Sequence, residues 1–157
     1  MDWVFSAFLI VSMIHMAEEY FYPGGFMDAM KQFNPRFAPL VTTRMAVIVN
    51  GLQLLLCIAA IWVGRLSLTF SLSVAGLLFI NGLMHLAGCI KVRGYAPGGI
   101  SGILLYLPLS AYGYYLFATS GQLTLIAGLA SASLGAAYQA VPISYLTLAS
   151  AAGARRG

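Results

Sequence analysis

Three ionisable side chains crowd into five positions near the start of the chain: His15, Glu18 and Glu19, in the run His15-Met16-Ala17-Glu18-Glu19. Only four acidic residues and two histidines occur among 157, the other acids being Asp2 and Asp28. Residues three and four apart on a helix share a face, so one imidazole and two carboxylates are presented together. Asn81 and His85 repeat that spacing farther along. Two chemistries suit such a set. Two imidazoles with one or two carboxylates match zinc or iron(II) with open positions for water or substrate. His15, Glu18, Glu19 and His85 are the candidate ligands, with Asn81 behind them to orient a ring. Two histidines are too few for a histidine-rich di-iron centre, so a single ion is expected. Without metal, Glu18 or Glu19 as base and His85 as proton donor could run acid-base chemistry, for instance isomerising an unsaturated lipid. The plain structural alternative has the glutamates reaching the headgroups to pair with Lys31, Arg36 or Arg44, while His15 hydrogen-bonds Asn81.

The elements that position these residues belong to a membrane. The chain is 61% hydrophobic and only 8% charged, with a mean hydropathy of +0.88. An ordinary soluble domain carries about a quarter charged residues, so that class is excluded. Charged groups at membrane depth cost roughly 2.5–3.5 kcal/mol each, and they face a bundle interior or mark a site. The net charge is +4, but the basic residues fall singly or in pairs, as topology determinants do. No nucleic-acid partner is expected. Cys57 and Cys89 lie in apolar segments without C-x-x-C spacing and are expected as small packing residues. The start, Met1-Asp2-Trp3, lacks the basic region of a cleavable signal, so the first segment is expected as a retained helix.

The fold class is all-α: a polytopic bundle of five transmembrane helices forming one domain over residues 1–157. The spans are expected at about 3–22, 43–63, 66–90, 100–118 and 122–151. Pro23-Gly24-Gly25 ends the first, Gly64-Arg65 makes a short turn between the second and third, and Pro142 should kink or interrupt the last. Lys31, Arg36, Arg44, Lys91, Arg93, Arg155 and Arg156 then fall on one side, giving an outside N-terminus and a cytoplasmic C-terminus. Trp3, Trp62, Tyr112, Tyr114 and Tyr115 would form the outer aromatic belt, and Asn50 a helix–helix hydrogen bond. Gly128, Ala132 and Ala136, with Ser131 and Gly135 beside them, offer a small-residue face for packing within the chain or for an oligomer.

His15 stands roughly 12 Å from the helix end at Pro23, and His85 about 9 Å from Lys91, at 1.5 Å per residue. Both clusters therefore lie at one level in the cytoplasmic half, where a cavity between the first three spans could gather them. His15-x-x-Glu18-Glu19, Asn81-x-x-x-His85 and Tyr95-x-Pro97-Gly98, in that order, resemble the HXXEE family, integral membrane proteins of uncharacterised function. That resemblance covers about residues 10 to 105. It implies a site at His15, Glu18, Glu19, Asn81, His85, Tyr95, Pro97 and Gly98, and no activity.

The function these features favour is a small membrane enzyme acting on a hydrophobic substrate. Glu18, Glu19, His85 and Tyr95 would be catalytic, and Asn81, Tyr95, Pro97 and Gly98 would contact substrate. One zinc or iron ion is the expected cofactor, the lipid bilayer the expected surroundings, and a bacterial inner (plasma) membrane the expected location. The rival is a metal or small-solute transporter, or a non-catalytic binding protein.

Overall fold

Apolar residues form helices throughout, because hydrocarbon leaves backbone groups no partner except each other. The computed structural model describes residues 1–21, 25–33 and 35–154, without the side chains at 26, 31–33 and 152–154. The expected stop at Pro23-Gly24, the side chain of Lys31, and Arg155 and Arg156 lie outside the described residues. Among the described residues six helices follow in order: α1 (Trp3–Phe21), α2 (Gly25–Phe33), α3 (Thr43–Val63), α4 (Leu68–Val92), α5 (Gly99–Thr119) and α6 (Leu125–Ala154). No strand occurs among the described residues.

Among the described residues four stretches are long and apolar enough to cross a bilayer: Trp3–Phe21, Thr43–Val92, Gly99–Thr119 and Leu125–Ala151. That is the length and composition of an integral membrane protein. The second stretch is broken. Gly64 takes φ +49° and a 3₁₀ turn runs from Gly64 to Ser67. Beyond it, Ser71 Oγ donates to the carbonyls of Ala60, at 3.3 Å, and Gly64, at 2.9 Å. In one straight helix Ala60 and Ser71 would stand about 16 Å apart. The bond therefore records α3 and α4 folding back on each other.

The burial pattern is inverted relative to a soluble bundle. On α1 the interior face carries Phe5, Phe8, Ser12, His15 and Glu19, while Ile10, Met13 and Ile14 are exposed. On α3 Gln53, Cys57 and Ala60 are buried, and Ile48, Leu52 and Leu55 are exposed. Polar groups inside and aliphatic groups outside are what a lipid solvent selects. One end of the bundle is filled by a core in which Phe5 and Phe117 stack at 5.6 Å, with Val4, Phe8, Leu72 and Cys57 around them. Cys57 is thus a packing residue, as its setting suggested.

Three sequence expectations change here. The last helix is not interrupted at Pro142, which lies inside it; a proline removes one rung, and membrane helices absorb it. Tyr114 is not a belt residue, because its hydroxyl donates to Leu72 O and accepts from Ser131, each at 3.1 Å, tying α4, α5 and α6 together. Arg65 does more than close a turn: its Nε lies 2.7 Å from Asp2 Oδ1, pinning the start of α1 to the α3–α4 connection.

The small-residue face of α6 lies on α4 of the same chain. A methyl group added at Gly135 would meet backbone atoms of Ser73, Gly76 and Leu77, whereas one at Gly128 would touch only the Leu123 side chain, at 3.6 Å. Backbone cannot step aside as a side chain can. Gly135→Ala should cost about 1–3 kcal/mol as overpacking, and Gly128→Ala should be nearly neutral. Unfolding midpoints in mixed micelles check this; equal midpoints for the two variants would contradict the packing.

Candidate functional site

The adjacent glutamates of α1 point to different neighbours, since successive helical residues are about 100° apart. Glu18 turns towards the start of α5. Its Oε1 accepts from Tyr95 Oη and from Ile100 N, each at 3.0 Å. Its Oε2 accepts from Ser101 N at 2.7 Å and from Ser101 Oγ. A helix start leaves N–H groups without partners and carries partial positive charge, so a carboxylate from a neighbouring helix satisfies both needs. The loop makes this possible. Gly98 adopts φ +79°, and the chain turns there to aim the first N–H groups of α5 at Glu18. Tyr95 and the turn at Gly98 therefore serve first to seat Glu18, while Pro97 lines the neighbouring cavity.

The Ser101 hydroxyl has one proton, spent on Glu18. Towards His15 Nδ1, 2.8 Å away, it can only accept. Nδ1 therefore carries hydrogen, and the network assigns the tautomer. The other ring nitrogen, Nε2, is buried, has no hydrogen-bond partner, and faces Glu19 Oε1 at 3.5 Å; with hydrogen on Nδ1 alone it would turn a lone pair on that oxygen. Lone pair against carboxylate is repulsive unless a cation, proton or metal, comes between them.

His85 reaches the same oxygen from α4, with Nε2 at 3.2 Å from Glu19 Oε1. The two imidazoles meet edge to face, centroids 4.6 Å apart. His15, Glu19 and His85 offer one donor atom each, all within 4.8 Å of one another, and the group could hold a metal ion. Glu18 is not a member of it. Nor does Asn81 orient a histidine by any bond seen here: Ser101 holds His15, and Asn81 Oδ1 is buried without a partner.

Close glycines seal the cluster. A methyl group at Gly98 would stand 2.5 Å from His85 Cε1 and 2.8 Å from His15 Cε1. Gly82 lets α4 pass the backbone of Gly102, where an added methyl would come within 2.7 Å of its carbonyl oxygen. At that point α5 widens into a π-turn over Gly102–Tyr106, just before Pro108, whose missing N–H disrupts the regular ladder. Tyr106 ends the turn with its ring 4.3 Å from that of His15. Its hydroxyl accepts from Gln53 Nε2 at 2.8 Å, and Gln53 Nε2 also reaches Ser12 Oγ at 3.2 Å. This knot joins α1, α3 and α5 under the imidazole.

Beside the donors lies a cavity of about 340 Å³, lined among others by Glu19, Gln53, Asn81, His85, Pro97 and Leu146. The convergence of His15 and His85 follows the sequence expectation, but the cavity wall also includes α2 and α6, which the motifs did not suggest. Asn50 does bond across helices, donating to Tyr20 Oη at 3.0 Å. Cys89 packs against Gly99, where an added methyl would meet its Sγ at 2.6 Å. Ser12, Gln53, Ser101 and Tyr106 were not singled out from sequence. The signal for Ser12 was present, since it precedes His15 by one helical turn on the same face.

The tautomer can be read directly. Nitrogen NMR of histidine-labelled protein should show His15 Nδ1 protonated in the wild type, whatever occupies Nε2. Ser101→Ala should release the ring to a mixture of tautomers. A wild-type Nδ1 without its proton would overturn the Glu18–Ser101–His15 relay.

Comparison with known proteins agrees with the motifs that build this geometry. Neither curated proteins nor solved structures give a match. A family model described as "protein of unknown function with HXXEE motif" matches residues 6–113, well over half of the chain. The HXXEE residues are His15, Glu18 and Glu19, the ones that seat α5 and open the donor cluster. The chain belongs to the HXXEE family.

Proposed function

We propose that this protein is a five-span membrane enzyme that holds one divalent metal ion, zinc or iron(II), between His15, Glu19 and His85. Its N-terminus lies outside and its C-terminus in the cytoplasm of a plasma membrane, an orientation that rests on the one-sided lysines and arginines. The observation carrying the metal reading is the His15 Nε2 atom, buried without a hydrogen-bond partner and 3.5 Å from Glu19 Oε1. Ligands about 2.0–2.1 Å from a tetrahedral ion stand about 3.3 Å apart. Glu19 Oε1 lies 3.5 Å from His15 Nε2 and 3.2 Å from His85 Nε2. Three protein donors leave a further position for water or substrate.

An ion there supplies Lewis acidity. The remaining roles belong to the chain. Glu18 acts through Ser101 as a positioning residue, fixing the ring of His15. Tyr95 steadies Glu18, and Gly98 keeps the approach to both imidazoles free of side chain. The cavity beside Glu19 and His85 admits an apolar substrate, with Asn81, Pro97 and Gly98 around its reactive end. The packed core of Phe5, Phe8, Leu72 and Phe117 closes the other end of the bundle, which favours an enzyme over a transporter with a through path.

Metal analysis of detergent-purified protein should find about one zinc or iron per chain. His15→Ala and His85→Ala should each lose it while keeping their helical circular dichroism, and Tyr95→Phe should retain it. A stoichiometric metal unmoved by either histidine change would sink the ligand set. Metal-free protein would leave the His15 lone pair to a proton and make the centre an acid-base pair. Solute uptake into proteoliposomes, lost in Glu19→Gln, would instead establish transport.

A further inference from the structure

The cavity carries its own statement about what fills it. Its wall is mostly aliphatic, with Met45, Val49, Met84 and Leu146 among its residues, and unbranched methionines adapt to a flexible chain. A volume of about 340 Å³ lies at the small end for ligand sites. That size suits one hydrocarbon chain. Two acceptors stand at the site end of the wall. Asn81 Oδ1 is buried and unpartnered, and Glu19 presents a carboxylate between the imidazoles. Both lack a donor. An ionised carboxylate head would bring no donor for Asn81 Oδ1, and Lys91, also on the wall, already has a partner of its own.

We infer that the cavity binds a neutral single-chain lipid whose head carries a hydroxyl or amide N–H, donated to Asn81 Oδ1 beside Glu19 and His85. This names the substrate class for the proposed centre and rests on that reading only for what happens at the head. A buried acceptor without a partner is costly, and a ligand that supplies the donor recovers that cost. Selectivity follows from the same atom. A lipid of equal length without a donor leaves Asn81 as it was.

The test uses full-length protein in phosphatidylcholine nanodiscs with two photoreactive probes, a long-chain diazirine alcohol and the matching carboxylic acid. Labelled residues are mapped by mass spectrometry. The alcohol should label Met84 or Leu146, and the acid about tenfold less. Asn81→Leu should reduce alcohol labelling about tenfold, the effect of one buried hydrogen bond. Val49→Trp, which fills the cavity, should abolish it. Equal cavity labelling by both probes would overturn the proposal, as would labelling indifferent to both variants or confined to lipid-facing Ile48 and Leu55. His15→Ala separates the two readings. It should remove metal yet keep alcohol labelling, so loss of one result leaves the other standing.

Discussion

A carboxylate and a helix start satisfy each other where α1 meets the beginning of α5. Glu18 would be costly in hydrocarbon alone, and so would the free N–H groups at the beginning of α5. Together they form a four-bond contact with Ile100, Ser101 and Tyr95. The remainder of the site depends on this contact. It fixes where α5 begins, and through Ser101 it decides which nitrogen of His15 keeps its hydrogen. It also draws α1 and α5 together around the imidazole.

The pairing of two consecutive glutamates then has a physical meaning. One helix step separates a residue that builds from a residue that faces the donors. Glu19, nearly fully buried with its carboxylate between His15 and His85, is tolerable only because cationic or hydrogen-bearing groups surround it. The glycines at 82, 98 and 102 keep side chains out of the space where α4, the loop and α5 approach. The Gln53–Ser12–Tyr106 knot supports the floor. On the open side the wall turns aliphatic, so a polar reaction centre borders an apolar chamber.

Much of the fold was legible because hydrophobic length is a strong signal. The expected boundaries at 43–63 coincide with α3, and the broken turn at Gly64 follows from a glycine between two apolar runs. The meeting of His15 with His85 was legible as well, since each sits within an apolar segment and polar groups there must find partners. Side-chain assignments inside the cluster were less so. Helical spacing put Glu18 and Glu19 together, and only the position of α5 separates their tasks. Ser101 looked like an ordinary residue after Pro97-Gly98-Gly99, because its importance comes from two contacts more than eighty positions away. Tyr114 was misread as an interface residue because hydropathy does not say which face meets α6. The role of α6 in the cavity was invisible for a similar reason: its lining residues Gln139, Ile143 and Leu146 form no motif.

The central claim is that Glu18, through Ser101, presents His15 with its Nε2 free, and that Glu19 and His85 complete a three-donor cation site. X-ray absorption at the edge of the metal that copurifies examines those donors directly. The expected shell is two imidazole nitrogens and one carboxylate oxygen at about 2.0–2.2 Å, with at most light-atom ligands besides. A sulfur shell from a cysteine, a single imidazole, or a fully hydrated ion would contradict it.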